Sequence, residues 1–138
     1  MGRHKVREKV IEMLYQIEFQ PQKAETFMVK HGLEFTDDAE QFYVELIEGI
    51  VENKDEIDKK IQEYLKEGWL LARLALVDQA ILRLAVYELV YREDIPGSVT
   101  INEAVELAKL YSVEESVKFI NGILGQMYTE PESELELN

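Results

Sequence analysis

The segment from Trp69 to Tyr91 constrains the fold of this chain more than any other stretch. It reads WLLARLALVDQAILRLAVYELVY and contains neither proline nor glycine. Apolar residues occupy almost every helical angle, which is typical of a helix covered on most sides. Its charged residues are Arg73, Asp78, Arg83 and Glu88. Because a membrane span needs about 20 mostly uncharged residues, the segment instead predicts the central helix of a water-soluble helical domain, with its charges on a narrow exposed line.

Apolar residues at the 3.6-residue spacing of an α-helix also precede this segment. They predict a first helix from about Arg3 to Phe19 and a short second helix from Gln22 to His31. A further helix is expected to open at a capping pattern, Asp37–Glu40, in which aspartate replaces the usual serine or threonine. Charged residues near 53–56 predict a break in that helix, and Gly68 is expected to end it.

Two more helix starts are predicted after the turn at Pro96-Gly97. Thr100–Glu103 and Ser112–Glu115 both read S/T-x-x-E, a spacing that lets the cap and the third residue bond each other's backbone amides. The fold class expected is all-α, a single domain of about seven helices over residues 1–128. The acidic residues 129–138 include a proline and predict a disordered tail.

The composition limits the classes of function. The chain has 138 residues, no cysteine and a net charge of −13, which argues against a general nucleic-acid-binding protein. Residues 1–9 nevertheless carry four basic residues against one acid, a net of +3. This short basic end could contact phosphates locally, or it could simply be a solvated face. The N-terminus lacks the apolar run of a signal peptide, so the cytoplasm is the expected location.

Motifs for catalysis are absent from the sequence. There is no glycine-rich phosphate loop, and neither His4 nor His31 has metal-ligand spacing to a second ligand. A di-iron helical bundle would need Glu-x-x-His in two helices, and the chain has none. The sequence therefore predicts a non-catalytic binding protein that needs no metal or cofactor.

Several segments recur in the order and spacing of a known family. They are Arg7-Glu8 with Leu14-Tyr15-Gln16, Trp69 with Arg73-Leu74, Val77–Leu89, Ile95-Pro96, and TINEAVELAKLYSVEESVKFINGIL at Thr100–Leu124. Together they resemble the NusB family of bacterial transcription antitermination factors over nearly the whole chain. The last block is the most specific, because helix periodicity alone does not produce INEAVELAK followed by KFINGIL.

The resemblance implies an all-helical RNA-binding protein that catalyses no reaction. NusB-like proteins bind boxA, a short single-stranded element in the RNA of ribosomal operons. They act with NusE, which is also a small-subunit ribosomal protein, and the pair loads a larger complex onto RNA polymerase. Transcription then resists premature termination.

The resemblance also implies the residues of an RNA site at the two ends of the chain, which the central helix is expected to bring together. The basic arm supplies Arg3, His4, Lys5 and Arg7, and the C-terminal segment supplies Glu115, Ser116, Lys118 and Phe119. Cations on phosphates and aromatic faces on unpaired bases are the usual means of holding single-stranded RNA. Phe119 is either the stacking residue or part of the core, and Glu115 either limits affinity or accepts a base amino hydrogen.

For NusE, the resemblance implies Tyr15 and Asp78 as partner-binding residues. Tyr15 could equally be a half-buried core residue. An acid inside an apolar run must be exposed or paired, so Asp78 either faces the partner or pairs with Arg73 or Arg83. The remaining charges of the central helix, Arg73, Arg83 and Glu88, are expected to be structural.

Three features depart from the family pattern, of which the mildest is Glu115 where the family often has aspartate. The basic arm has lysine, histidine and valine where the family is richer in arginine, and Glu12 stands where the family often has glutamine. Two alternatives remain open, a helical protein-interaction adaptor and the RNA-binding accessory domain of a ribosomal-RNA methyltransferase. The absence of a glycine-rich cofactor domain counts against the second. The sequence leaves open whether the protein is a monomer or a homodimer.

Overall fold

The computed structural model of this protein describes the backbone of residues 2–137 and the side chains of residues 2–128. Within this part of the chain it has seven α-helices, which are α1 Arg3–Phe19, α2 Ala24–Gly32, α3 Asp37–Glu52, α4 Lys54–Tyr64, α5 Leu76–Tyr91, α6 Gly97–Tyr111 and α7 Glu114–Leu137. The predicted all-α fold of about seven helices is confirmed. The predicted tail at 129–138 lies outside the residues with described side chains. None of the described helices is long and apolar enough to cross a membrane.

Helix α5 lies at the centre of the fold, as its sequence predicts. Every residue from Asp78 to Glu88 is buried, and α5 packs against α1, α3, α4, α6 and α7. Apolar side chains such as Ile81, Leu82 and Val86 are fully buried. Burying a side chain of this size contributes about 1.5–3 kcal/mol, so α5 anchors the helices around it.

The start of the central helix was predicted wrongly. It begins at Leu76 instead of Trp69, after an irregular segment that contains a short 3-10 turn, Leu71–Arg73. Two glutamine side chains form hydrogen bonds with backbone groups of this segment. Gln62 donates to the Trp69 carbonyl and accepts from the Leu71 amide, and Gln79 donates to the carbonyls of Leu74 and Ala72. These side-chain bonds compete with helical ones, and apolar periodicity cannot reveal them.

The expected exposed line of charges along α5 is also wrong. Asp78, Arg83 and Glu88 are all buried, because each is paired with another side chain. Arg83 donates to Asp58 at 2.8 Å and to Glu18 at 3.1 Å, which confirms its structural role. Arg73 lies before the helix and is exposed, and it makes no ion pair within the described residues.

The three predicted capping patterns do not act as predicted. Helix α3 has Thr36 as its N-cap, with no side-chain capping bond, and Asp37 adopts a φ of 52°. Helix α6 begins at Gly97, so Thr100 lies inside it and donates its hydroxyl to Glu88 at 2.8 Å. The Ser112 hydroxyl donates to Asp78 at 2.6 Å. Charged acceptors from a neighbouring helix attract these hydroxyls because charge-assisted hydrogen bonds are the stronger ones.

Candidate functional site

The basic residues at the start of α1 differ in their exposure to solvent and in their pairing with acidic residues. Arg3 is exposed, with its guanidinium 4.2 Å from the centre of the Phe42 ring. Lys5 is half-buried and makes no ion pair within the described part of the chain. His4 lies 2.8 Å from a Glu103 oxygen and 3.4 Å from a Glu8 oxygen. Arg3 and Lys5 are therefore the cations of this end that can contact phosphate, whereas acids surround His4.

Arg7 is not available to RNA, so its predicted role in RNA contact is wrong. Its side chain is only 3% exposed and forms two hydrogen bonds to Glu88, at 2.7 and 2.9 Å. The Thr100 hydroxyl donates to the same carboxylate. A buried charge must be paired and hydrogen-bonded to be tolerated, and this network satisfies Arg7 and Glu88 together. Both residues hold α1, α5 and α6 in place.

The four RNA-binding residues predicted near the C-terminus lie in the first two turns of α7, which begins at Glu114. Glu115 and Lys118 are exposed, and Ser116 and Phe119 are half-buried. The Ser116 hydroxyl donates to Asp78 at 2.6 Å. The Phe119 ring packs beside the Trp69 ring, with their centres 5.7 Å apart. We call these four residues the α7 face; it presents an amine, a carboxylate and part of an aromatic ring to solvent.

Asp78 does not present its carboxylate to solvent, contrary to the prediction that it faces a partner. It is 6% exposed and accepts hydrogen bonds from Ser112 and Ser116, both at 2.6 Å. Among the described side chains Asp78 makes no ion pair with Arg73 or Arg83, and Arg83 binds Asp58 and Glu18 instead. Asp78 thus connects the first turn of α5 to the end of α6 and the start of α7.

Tyr15 is the exposed member of the predicted partner site. It is 40% exposed, and its ring meets Phe19 edge-on at 5.1 Å. Beside it is an apolar cavity of about 240 Å³, lined by Ile11, Glu12, Tyr15, Val77 and Tyr111. The Tyr111 hydroxyl donates to Glu12 at 2.8 Å. Burial, together with Glu12, raises the pKa of Tyr111, so this hydroxyl stays protonated and holds the Glu12 carboxylate at the cavity.

The two predicted groups of RNA-binding residues lie at opposite ends of α5. Arg7 contacts Glu88 near the C-terminal end of this helix, and Ser116 contacts Asp78 near its N-terminal end. Ten residues of α-helix separate these contacts by about 15 Å. The central helix therefore contacts both groups but holds them near its two ends instead of side by side. Tyr15 shares the Asp78 end with the α7 face.

Sequence reasoning missed one exposed residue at this end, Trp69. It is the only tryptophan of the chain. The sequence pattern of the family includes it but predicts no binding role for it. Its side chain is 48% exposed in the structure. Glycine at 68, with a φ of 87°, is the one local signal that the chain turns here instead of continuing as a helix.

Known proteins share both the sequence and the fold. The NusB family model matches residues 4–129. Transcription antitermination protein NusB of Acetivibrio thermocellus is 45% identical over 130 residues, which are 92% of this chain and 88% of that protein. The structure of T. maritima NusB has a TM-score of 0.89 and 40% identity, and the match covers 99% of this chain and 98% of that one.

A further solved structure contains the antitermination factors NusB and NusE in complex with dsRNA. It matches with a TM-score of 0.82 and 26% identity, over 91% of this chain and 95% of that one. Family membership rests on the match of the family model to almost the whole described chain and on the identity to the relative from Acetivibrio thermocellus. The chain therefore belongs to the NusB family of transcription antitermination proteins, which are not enzymes.

Proposed function

We propose that this antitermination protein binds single-stranded boxA-type RNA of ribosomal operons together with NusE, a small-subunit ribosomal protein. The pair helps to load an antitermination complex onto RNA polymerase in the cytoplasm. The observation that carries the proposal is the Asp78 end of the fold, where the α7 face lies beside the exposed Tyr15 and its cavity. RNA and protein surfaces can meet there. The solved relative with NusE and RNA supports the same pair of partners.

The RNA contacts are assigned to Lys118 and Phe119 at one end of α5 and to Arg3 and Lys5 at the other. These cations act locally, because the net charge of −13 makes the rest of the surface repel phosphates. The relative was crystallised with dsRNA. An aromatic face such as that of Phe119 stacks only on an unpaired base, so we assign the α7 face to single strands.

The NusE contact is assigned to Tyr15 and the cavity beside it. An amphipathic tyrosine next to an apolar cavity is typical of a protein interface. Asp78 contributes indirectly, because its bonds to Ser112 and Ser116 fix the start of α7 relative to α5 and the end of α6. The Glu115 carboxylate lies at the edge of the α7 face and limits where a phosphate can approach.

The salt dependence of RNA affinity tests the RNA half of this proposal. Replacing Arg3 and Lys5 together by alanine removes two cations that make no ion pair within the described residues, so the plot of log affinity against log salt should become less steep. The expected change is about 0.7 in slope for each lost phosphate contact with a single strand. Fluorescence anisotropy of a labelled boxA-type strand at four salt concentrations gives both the affinity and the slope.

The matched control replaces Lys30 and Lys59, two exposed lysines on α2 and α4 that make no ion pair within the described residues. This variant removes the same charge and should keep the wild-type slope. Equal slopes for all three proteins would contradict the assignment of Arg3 and Lys5. Binding to NusE without binding to RNA would instead favour a protein-interaction adaptor.

A further inference from the structure

We propose that Trp69 and Phe119 together form a stacking site for an unpaired nucleobase, with the exposed face of the Trp69 indole as its platform. This inference rests on the proposed binding of single-stranded RNA. The two ring centres are 5.7 Å apart, and the ring planes are inclined at 31°. Trp69 is 48% exposed, so Phe119 covers one part of the indole while another part faces solvent.

The contact between Trp69 and Phe119 joins two distant parts of the chain. The other aromatic pairs with at least one exposed ring, Tyr15 with Phe19 and Tyr87 with Tyr91, are four residues apart on one helix. Helix geometry places such residues side by side in any case. Trp69 and Phe119 are separated by 50 residues and meet only because the segment before α5 is folded against α7. Their contact therefore depends on the tertiary fold.

The backbone holds Trp69 firmly in this position. Gly68 has a φ of 87°, in the left-handed region that favours glycine, and turns the chain after Leu65. The Trp69 amide donates to the Lys66 carbonyl at 2.9 Å, and the Trp69 carbonyl accepts from the Gln62 side chain at 2.6 Å. A ring that is already in place loses little freedom when a ligand binds, which favours affinity.

The charged residues that neighbour Trp69 and Phe119 along the chain suit a nucleotide more than an apolar peptide. Lys118 precedes Phe119, and Arg73 follows Trp69 by four residues; both are exposed and make no ion pair within the described side chains. Glu67 and Glu115, which are close to the two rings in sequence, are also exposed. Their negative charges repel a phosphate that approaches them. A base on the indole with its phosphate directed to Lys118 or Arg73 satisfies this pattern. Stacking accepts every base, because each has a π-face.

The single tryptophan makes a direct test possible. Protein labelled with 5-fluorotryptophan gives one ¹⁹F signal from this chain, even when unlabelled NusE is present. We expect single-stranded boxA-type RNA to shift this signal, and the same sequence as a duplex to leave it unchanged. RNA binding is followed in parallel by the anisotropy of labelled RNA, so that occupancy is known at every point.

Affinity gives an independent readout. Trp69→Ala should weaken binding of the single strand about tenfold, within the range for loss of one stacked base. Its salt slope should remain that of the wild type, because no phosphate contact is lost, and Trp69→Phe should recover most of the affinity. The control is Tyr91→Ala, which removes a similarly exposed aromatic ring at the other end of α5 and should bind normally.

Two results would overturn the stacking site while leaving the proposed function intact. One is an unchanged ¹⁹F signal at RNA concentrations where anisotropy shows saturation. The other is wild-type affinity in a folded Trp69→Ala protein. If neither the protein nor its complex with NusE binds single-stranded RNA, the proposed function fails and the stacking site fails with it.

Discussion

At the scale of single residues, burial separates charged side chains that look alike in sequence. Arg3 and Arg7 both belong to the basic arm, yet Arg3 is exposed and Arg7 is 3% exposed against Glu88. Periodicity could have placed Arg7 beside Val6 and Val10 on the inner face of α1. It could not have supplied Glu88, which lies 81 residues away. Whether a charged side chain is exposed therefore depends on whether the fold brings an oppositely charged side chain to it. Only the three-dimensional structure shows this.

Replacing Arg7 tests this separation. Arg7→Met leaves Glu88 buried without its counter-charge, which should lower the free energy of unfolding by about 3–5 kcal/mol. Urea denaturation followed by circular dichroism measures the loss. Arg3→Ala is the control; it loses only the exposed contact with the Phe42 ring and should change stability by no more than about 1 kcal/mol. The double variant Arg7→Met with Glu88→Leu should recover much of the loss, and a stable Arg7→Met single variant would contradict the buried pair.

His31 predicts a specific dependence of stability on pH. Burial lowers the pKa of His31 from its ordinary value of 6.5; Glu12 opposes this shift, and Lys9 and Lys30 reinforce it. The folded protein thus binds the proton more weakly than the unfolded chain, so stability is lost as pH falls below about 6.5. When the pH is lowered from 7.5 to 5.5, the free energy of unfolding measured by urea denaturation should fall more for the wild type than for His31→Gln. An equal loss in both proteins would show that His31 does not contribute.

At the scale of elements, the helices were predictable but their ends and connections were not. Apolar spacing located α1, α3 and the buried run of α5 because those faces are covered by neighbouring helices. The segment 69–75 is equally apolar, and its departure from a helix depends on hydrogen bonds from Gln62 and Gln79. The local sequence predicts Thr100 and Ser112 as caps because their hydroxyls suit that role, whereas their acceptors Glu88 and Asp78 lie on another helix.

Asp78 gives a prediction at this scale. Asp78→Ala leaves the hydroxyls of Ser112 and Ser116 without their shared acceptor, which should reduce stability by about 1–3 kcal/mol. Because the start of α7 is then less fixed, the variant should also bind single-stranded RNA more weakly. Thermal denaturation and RNA anisotropy measure the two effects. Glu114→Ala, which removes an exposed acid from the same region, is the control, and unchanged stability of Asp78→Ala would contradict the role assigned to Asp78.

At the scale of the whole molecule, the fold separates the candidate RNA contacts into two small basic areas on an acidic body. Arg3 and Lys5 lie toward the Glu88 end of α5, and Lys118 with Phe119 lies toward the Asp78 end. Glu88 and Asp78 are about 15 Å apart along the helix axis. Family resemblance named these residues as RNA contacts; in the structure Arg3 and Lys118 are exposed, and Lys5 and Phe119 are half-buried. Their separation could not be predicted, because it depends on the direction in which α1 and α7 cross α5.

Binding of boxA-type RNA by this protein is tested by comparing its affinity for a boxA-type single strand with that for a scrambled strand of equal length and composition. Both are titrated into the protein at one salt concentration, with and without saturating NusE. We predict that the protein binds the boxA-type strand more tightly than the scrambled strand when NusE is present. Without NusE this preference should be weaker. Equal affinity for the two strands in the presence of NusE would contradict the account.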